Sequence, residues 1–352
     1  MSNVGAVADP MADAYGVSLP AIGLLTTALF VTHLVAQLPA GRGADRYGAR
    51  AVALGSIAAT LVGCGILLLG PWFGLALLGR AIVGLGSGAG FVAGLDLVRA
   101  GRGGPLLQGA YGGGTMLGGG LALMVVPPLT EAYGWRAAYW SAAVLALVSA
   151  VPVLAATGLF RVGYVATRVV RDPRLLPLGV LQAATFGLAV VAGNWAVPLL
   201  ERQGASPETA GLAAGLILFA GIVTRPGGGW LAVRGARRRL VGIALAGVAA
   251  GCAALALGGP LWLSTAGAIV LGLGAGLPFA VVFAAAQRLR PDAPGAASAT
   301  VNGAAILAIL VGTPLAGLAF ELPGDGRLAF AAMAVLAVAA LGALRRARLD
   351  GG

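Results

Sequence analysis

Charge is scarce in this chain, and one kind is missing: 10% of its 352 residues are charged, and all 23 basic residues are arginine. With 59% apolar residues, so little polar surface cannot cover a water-facing core, which excludes a soluble globular domain. Cys64 and Cys252 are the only cysteines, each inside an apolar run, which excludes a disulfide framework and a cysteine metal site. The glycine runs at 112–114 and 118–120 lack the lysine that a phosphate cradle needs, so no nucleotide-binding loop is expected. The N-terminus has no basic segment leading to a small-residue cleavage site, so no signal peptide is read there. No apolar run carries a carboxylate near its middle, and none shows a nucleophile–base pair or a metal cluster. An enzyme is therefore the weakest reading, and no cofactor or metal is expected.

Apolar runs are abundant. Those long enough to cross roughly 30 Å of hydrocarbon fall at 19–40, 52–69, 73–98, 105–128, 137–158, 176–199, 209–230, 240–257, 261–287, 296–319 and 328–344, eleven in all. The arginines gather in alternate inter-span loops, nineteen on one side (Arg225 counted with its loop neighbours) against Arg136, Arg202 and Arg327 on the other. That asymmetry is the positive-inside rule and predicts a cytoplasmic C-terminus in a multi-pass protein of the cell membrane. A nucleic-acid footprint would concentrate on one folded face instead. The expected partners are the lipid bilayer and a small solute, with protons as a further candidate, and a monomer is expected.

Shifting the chain by 188 residues against itself brings landmarks into coincidence. Cys64 falls on Cys252, Arg46 and Arg50 on Arg234 and Arg238, and Phe91 on Phe279. Gly41, Gly63, Gly84, Gly86 and Gly88 fall on Gly229, Gly251, Gly272, Gly274 and Gly276. A duplicated apolar half is a transporter signature. The expected organisation is an all-α polytopic protein of two pseudo-symmetric bundles, 1–158 and 176–352, joined by a basic cytoplasmic linker at 159–175. Run backward, the offset maps residues 1–18 onto the end of the sixth complete span and its following loop. It predicts that residues 1–10 are the outer stub of a first helix whose inner portion the chain lacks, beside eleven complete spans.

The first inter-span loop reads Gly41-Arg-Gly-Ala-Asp45-Arg46-Tyr-Gly48-Ala-Arg50. This resembles the signature loop of the major facilitator superfamily: glycine, three residues, aspartate, a basic residue, any residue, glycine, then basic residues. Its second copy from Gly229 is degenerate, with Val233 in place of the aspartate while Arg234 and Arg238 remain. The segment from Gly79-Arg80 to Gly84 resembles the family's fourth-helix motif, and Gly134-Trp135-Arg136 its entry into helix 6. The Asn194-Trp195…Pro198 pattern, with an Arg80-bearing helix, is loosely similar to the cyanate and nitrate/nitrite branch. The resemblance implies two six-helix bundles that rock about a central site and move a small solute, often with a proton.

The residues suggest where such a site would lie. Asp45 and Arg46 stand where charge can hold two helix ends together; Asp96 is the nearest acid for Arg46 or Arg50, unless it pairs with Arg99. Arg80 lies inside its span, so it either meets an anionic solute or a proton site, or snorkels to the outer interface. Thr26, Phe30, His33 and Gln37 form one helical stripe. The stripe lines a cavity or holds a buried hydrogen bond, and His33 is the lone imidazole available for protons. Gln108, Tyr111 and Thr115 form a second stripe; Gln182, Asn194, Trp195 and Asn302 complete the candidates, although a tryptophan placed like Trp195 is more often an interfacial anchor. The small-residue stretches 84–94 and 112–120 suit close helix packing. The two functions these features allow are a secondary or facilitative transporter, of an anion or an organic metabolite, and a non-transporting sensor or inactive truncated relative.

Overall fold

Apolar runs that exceed one membrane thickness fold as helices, because lipid supplies no partner for backbone N–H and C=O groups. The computed structural model describes residues 7–101, 104–156, 171–235, 237–320 and 322–349, and all regular structure among them is helical. Residues 1–6 of the expected stub and most of the expected linker, 159–170, lie outside the described residues. A short α1 (Ala8–Tyr15) precedes α2 (Leu19–Tyr47), α3 (Ala49–Leu68) and α4 (Phe73–Ala100). Next come α5 (Pro105–Tyr133), α6 (Ala137–Ala155), α7 (Leu176–Arg202) and α8 (Pro207–Val233). The last four are α9 (Arg237–Leu257), α10 (Leu261–Leu289), α11 (Pro294–Leu318) and α12 (Arg327–Arg346). Ten of these are long and apolar enough to cross a membrane, and the apolar α5 has 29 residues.

Two helices break α geometry. In α7 the residues Ala183–Gly187 form a π turn. In α10 the segments Leu261–Gly276 and Phe279–Leu289 meet at Leu277-Pro278, where proline removes a backbone donor.

Helices outrun the apolar stretches that announce them. Residues 41–47, expected as a loop, are the last two turns of α2, and the turn itself is Gly48 alone, at φ 91°. Hydropathy marks where lipid ends, whereas helix continues while the backbone stays paired, so the signature motif lies on a helix end.

By packing, the chain divides into two units. The first comprises residues 1–102, 117–167 and 292–299; the second comprises 103–116, 168–291 and 300–352. The sequence division assigns all of α5 to the first bundle and all of α11 to the second, but the first turns of each helix pack with the opposite unit. Within the first unit α4 packs on α2 and α3, and α3 on α6; within the second α10 packs on α8 and α9, and α9 on α12.

The duplication is visible contact by contact. A Cβ on Gly63 would lie 2.7 Å from Gly79 O, and one on Gly251 would lie 2.5 Å from Gly267 O, the same pair 188 residues on. Gly16 and Gly204 both turn the chain at positive φ, 63° and 93°. Ser18 and Ser206 then stand as the N-caps of α2 and α8 with nearly equal backbone angles. Cys64 and Cys252 are free and buried at equivalent places in α3 and α9.

Candidate functional site

Asp45 sits near the end of α2 with only 1% of its surface exposed. Its two carboxylate oxygens accept the backbone N–H groups of Gly295 (2.8 Å) and Ala296 (3.0 Å), in the first turn of α11. A helix start leaves such donors unpaired and carries partial positive charge, so a carboxylate satisfies both needs. Hydrogen bonds to a charged group contribute roughly 1.5–3 kcal/mol each. Gly41 lies one turn earlier on the same face, and a Cβ there would come within 2.6 Å of Gly295 O. The spacing glycine, three residues, aspartate is thus a physical unit: the glycine admits a foreign helix end and the aspartate grips it.

Asp96 does not pair with Arg46 or Arg50; it binds Arg99 at 2.6 Å. Arg46 is exposed and lies 5.2 Å from the Tyr47 ring centroid, because the continuing helix turns it away from the face that carries Asp45. Arg50 donates to Leu154 O (2.7 Å) at the C-terminal end of α6. Arg238, its repeat partner, donates to Leu344 O (2.7 Å) and Ala347 O (2.9 Å) at the end of α12. Both arginines therefore cap the bare carbonyls of a helix end. In the second copy Gly229 again lies against a helix start, at the Pro105 and Leu106 backbone of α5, but Val233 is exposed and offers no carboxylate. Arg234 stacks on Trp230, 3.6 Å from the ring centroid. Ahead of α7, the Arg174 guanidinium holds the Asp172 carboxyl at about 2, below the usual carboxylate range, with Arg290 adding to the effect.

Deeper in the first unit, the Thr26–Phe30–His33–Gln37 stripe turns inward, with His33 and Gln37 buried. His33 Nδ1 lies 2.9 Å from Ser87 Oγ on α4, and its ring centroid is 6.3 Å from that of Phe30. Arg80 does not snorkel: it is 1% exposed and its Nε donates to Leu25 O at 3.2 Å. Tyr15, Tyr139 and Cys64 surround it, and Tyr15 donates to the Tyr139 oxygen at 3.2 Å, so the residue joins α1 to the core of its unit. Between α2, α3 and α4 opens a groove of about 390 Å³ with almost wholly apolar walls, lined by Val35, Pro39, Val52 and Leu85 among others.

In the second unit, Gln108 donates to Gln287 Oε1 at 2.9 Å. Trp195 donates to Thr313 O (2.9 Å) and stacks on Phe320, while the exposed Asn194 reaches Thr313 Oγ1 at 3.4 Å. Gln182 and Asn302 are each 1% exposed, on α7 and α11, and Tyr111 is half-buried on α5.

The residue that sequence reasoning misplaced is Arg225. Counted with the cytoplasmic arginines, it stands in α8 eight residues before the helix ends, about 12 Å along the axis, and is 2% exposed. Its Nη1 donates to Gly112 O (2.8 Å) and Thr115 Oγ1 (3.1 Å) on α5. The guanidinium carbon lies 4.9 Å from the Phe186 ring centroid and 4.4 Å from that of Phe279. The α5 glycines at 109, 112 and 113 make this possible, since Cβ atoms there would strike the Arg225 backbone, the Phe279 ring and Ile222 O respectively. Two signals pointed to it: the apolar run 209–230 encloses position 225, and the 188-residue offset pairs it with Gln37 on the inward stripe. Membrane insertion of such a charge costs at least about 2.5–3.5 kcal/mol.

Comparison with known proteins places this architecture. No curated protein matches the sequence. Among solved structures, a variant of the fucose:proton symporter FucP of E. coli is similar with a TM-score of 0.76. The two are 16% identical over 97% of this chain and 96% of that one. A second FucP structure, in the outward conformation, gives a TM-score of 0.72 at 16% identity over 97% and 96%. The human organic anion transporter MFSD10 gives 0.68 at 17% identity, over 96% of this chain and 88% of that one. None of these three is a cyanate or nitrate porter, and at such identities the likeness is one of fold. The sequence profile of the Major Facilitator Superfamily matches residues 1–174 and 178–350. With its duplicated halves and its signature motif, the chain belongs to the major facilitator superfamily, a family of membrane transporters and not of enzymes.

Proposed function

We propose that this protein is a secondary transporter that moves a small solute by alternating access of its two bundles. In this reading the Asp45 grip on α11 is made and broken once per cycle. The carrying observation is the pair of backbone N–H bonds from the first turn of α11 to one buried carboxylate. Residues 294–299 of that helix pack with the first unit, which also holds Asp45, and the remainder with the second; in this reading a rocking motion loads the contact. The Arg-rich loops and the C-terminus face the cytoplasm of a cell membrane, and the monomer is the working unit. If protons are co-transported, as FucP's description states for that protein, His33 is the group within the first unit suited to carry them.

The test is flux into proteoliposomes across a panel of radiolabelled neutral, cationic and anionic solutes, with wild-type protein and Asp45→Asn. Loss of the charge depopulates the gripped state, so flux in the variant falls about tenfold, the equivalent of one charge-assisted hydrogen bond. Solute affinity in detergent changes by less than about twofold, because the buried Asp45 carboxylate is engaged by the α11 backbone in this reading and not by solute. Equal losses of flux and affinity contradict a gating role. Absence of wild-type flux for the whole panel contradicts transport and favours a sensor.

A further inference from the structure

Arg225 is held as if for a ligand. One edge of its guanidinium, at Nη1, is fixed by Gly112 O and Thr115 Oγ1. Its central carbon lies over the rings of both Phe186 and Phe279. The opposite edge, formed by Nε and Nη2, donates to no described atom, and Nε is completely buried. Among the described residues no carboxylate pairs with it; Asp96 and Asp172 bind other arginines. An arginine fixed on one edge and bare on the other presents the two parallel donors that match a carboxylate in bidentate fashion.

The repeat does not share this charge. The repeat places neutral Gln37 at the equivalent position of α2, with Phe91 where the second half has Phe279. The α2–α4 pair thus carries a neutral amide where the α8–α10 pair carries a cation. The rings come from unusual places as well: Phe186 from the π turn of α7, and Phe279 from the residue after the Pro278 break in α10. Both are points where a helix can yield locally, and such insertions recur at functional sites. On α7, four positions before Phe186, Gln182 is 1% exposed and its Nε2 has no hydrogen-bond partner, a second unsatisfied donor in the same unit.

We propose that the free edge of Arg225 is the anion subsite of the transport pathway, and that it takes small monocarboxylates with an apolar body. A single cation and one fork suit one carboxylate, and the phenyl and glycine walls suit an apolar remainder rather than a second charge. Phe186 and Phe279 cover the guanidinium and part at the π turn and the Pro278 break when the acid enters. This assignment rests on the transporter reading for its place in a pathway, but binding can be measured without transport.

The experiment is isothermal titration of the full-length protein in detergent with butyrate and benzoate, and with butyramide and benzamide as neutral isosteres. Arg225→Gln is the variant, since glutamine stands at the repeat-equivalent position 37; Arg225→Lys keeps the charge but loses the fork and checks that the site still folds. Wild-type protein should bind the acids and not the amides. Arg225→Gln should weaken benzoate about 30-fold or more, the usual consequence of removing one member of a buried charge pair, with Arg225→Lys in between. Equal binding of acid and amide, unchanged benzoate affinity in Arg225→Gln, or no binding of either acid to the wild type would overturn the assignment. Acid binding without flux would sink the transporter reading and leave the subsite standing; flux of neutral solutes without acid binding would do the reverse.

Discussion

At the scale of single residues, glycine and charge act as pairs. Gly41 is the absence that lets α11 approach, and Asp45 is the presence that holds it. The methyl group of Gly41→Ala would meet the backbone of Gly295 and Ala296, which cannot swing away as a side chain would. We expect this variant to lose about 1–3 kcal/mol of stability by overpacking and to copy the flux defect of Asp45→Asn. Gly229→Ala overpacks α8 against the start of α5 in the same way, yet no carboxylate grip exists there to lose. It should lower the unfolding midpoint in detergent while sparing flux, and a flux defect equal to that of Gly41→Ala would refute the distinction. Sequence reading found Asp45 because its motif has a fixed spacing. It misplaced Arg225 because a count of loop arginines weighs neighbours in sequence, while burial depends on the glycines of α5.

At the scale of elements, hydropathy located the helices and missed their ends. The apolar run of α2 stops at residue 40 while the helix continues to Tyr47, since Arg42, Asp45 and Arg46 are compatible with helix once outside hydrocarbon. Neither the π turn in α7 nor the break in α10 has a periodic signature, although Pro278 marks the latter. Helix ends, by contrast, obey a rule that both halves share. Arg50 caps α6 with one hydrogen bond; Arg238 caps α12 with bonds to Leu344, Arg345 and Ala347. Replacing either by alanine should cost about 0.5–1.5 kcal/mol per cap, with Arg238→Ala the more damaging. Unfolding midpoints in detergent will rank them, and a larger loss for Arg50→Ala would show that these bonds do not set the stability of the ends.

At the scale of the whole molecule, duplication supplies the frame and divergence within it supplies the specific parts. Positions 63 and 251 still make the same contact, whereas 45 and 233, or 37 and 225, have parted in chemistry. The fold could be read from the repeat because packing constrains both copies alike; the site could be read only in part, because its residues are those the copies do not share. One shared pair has a practical consequence. Cys64 and Cys252 are 1% and 0% exposed, each enclosed between helices. A membrane-impermeant maleimide should therefore leave the folded native protein unmodified by mass spectrometry, and modification of either thiol would show that these helices open. The chain is thus its own silent background for thiol reporters: a single cysteine introduced at Ala296, itself 0% exposed beside Asp45, can be read without first removing any native sulfur.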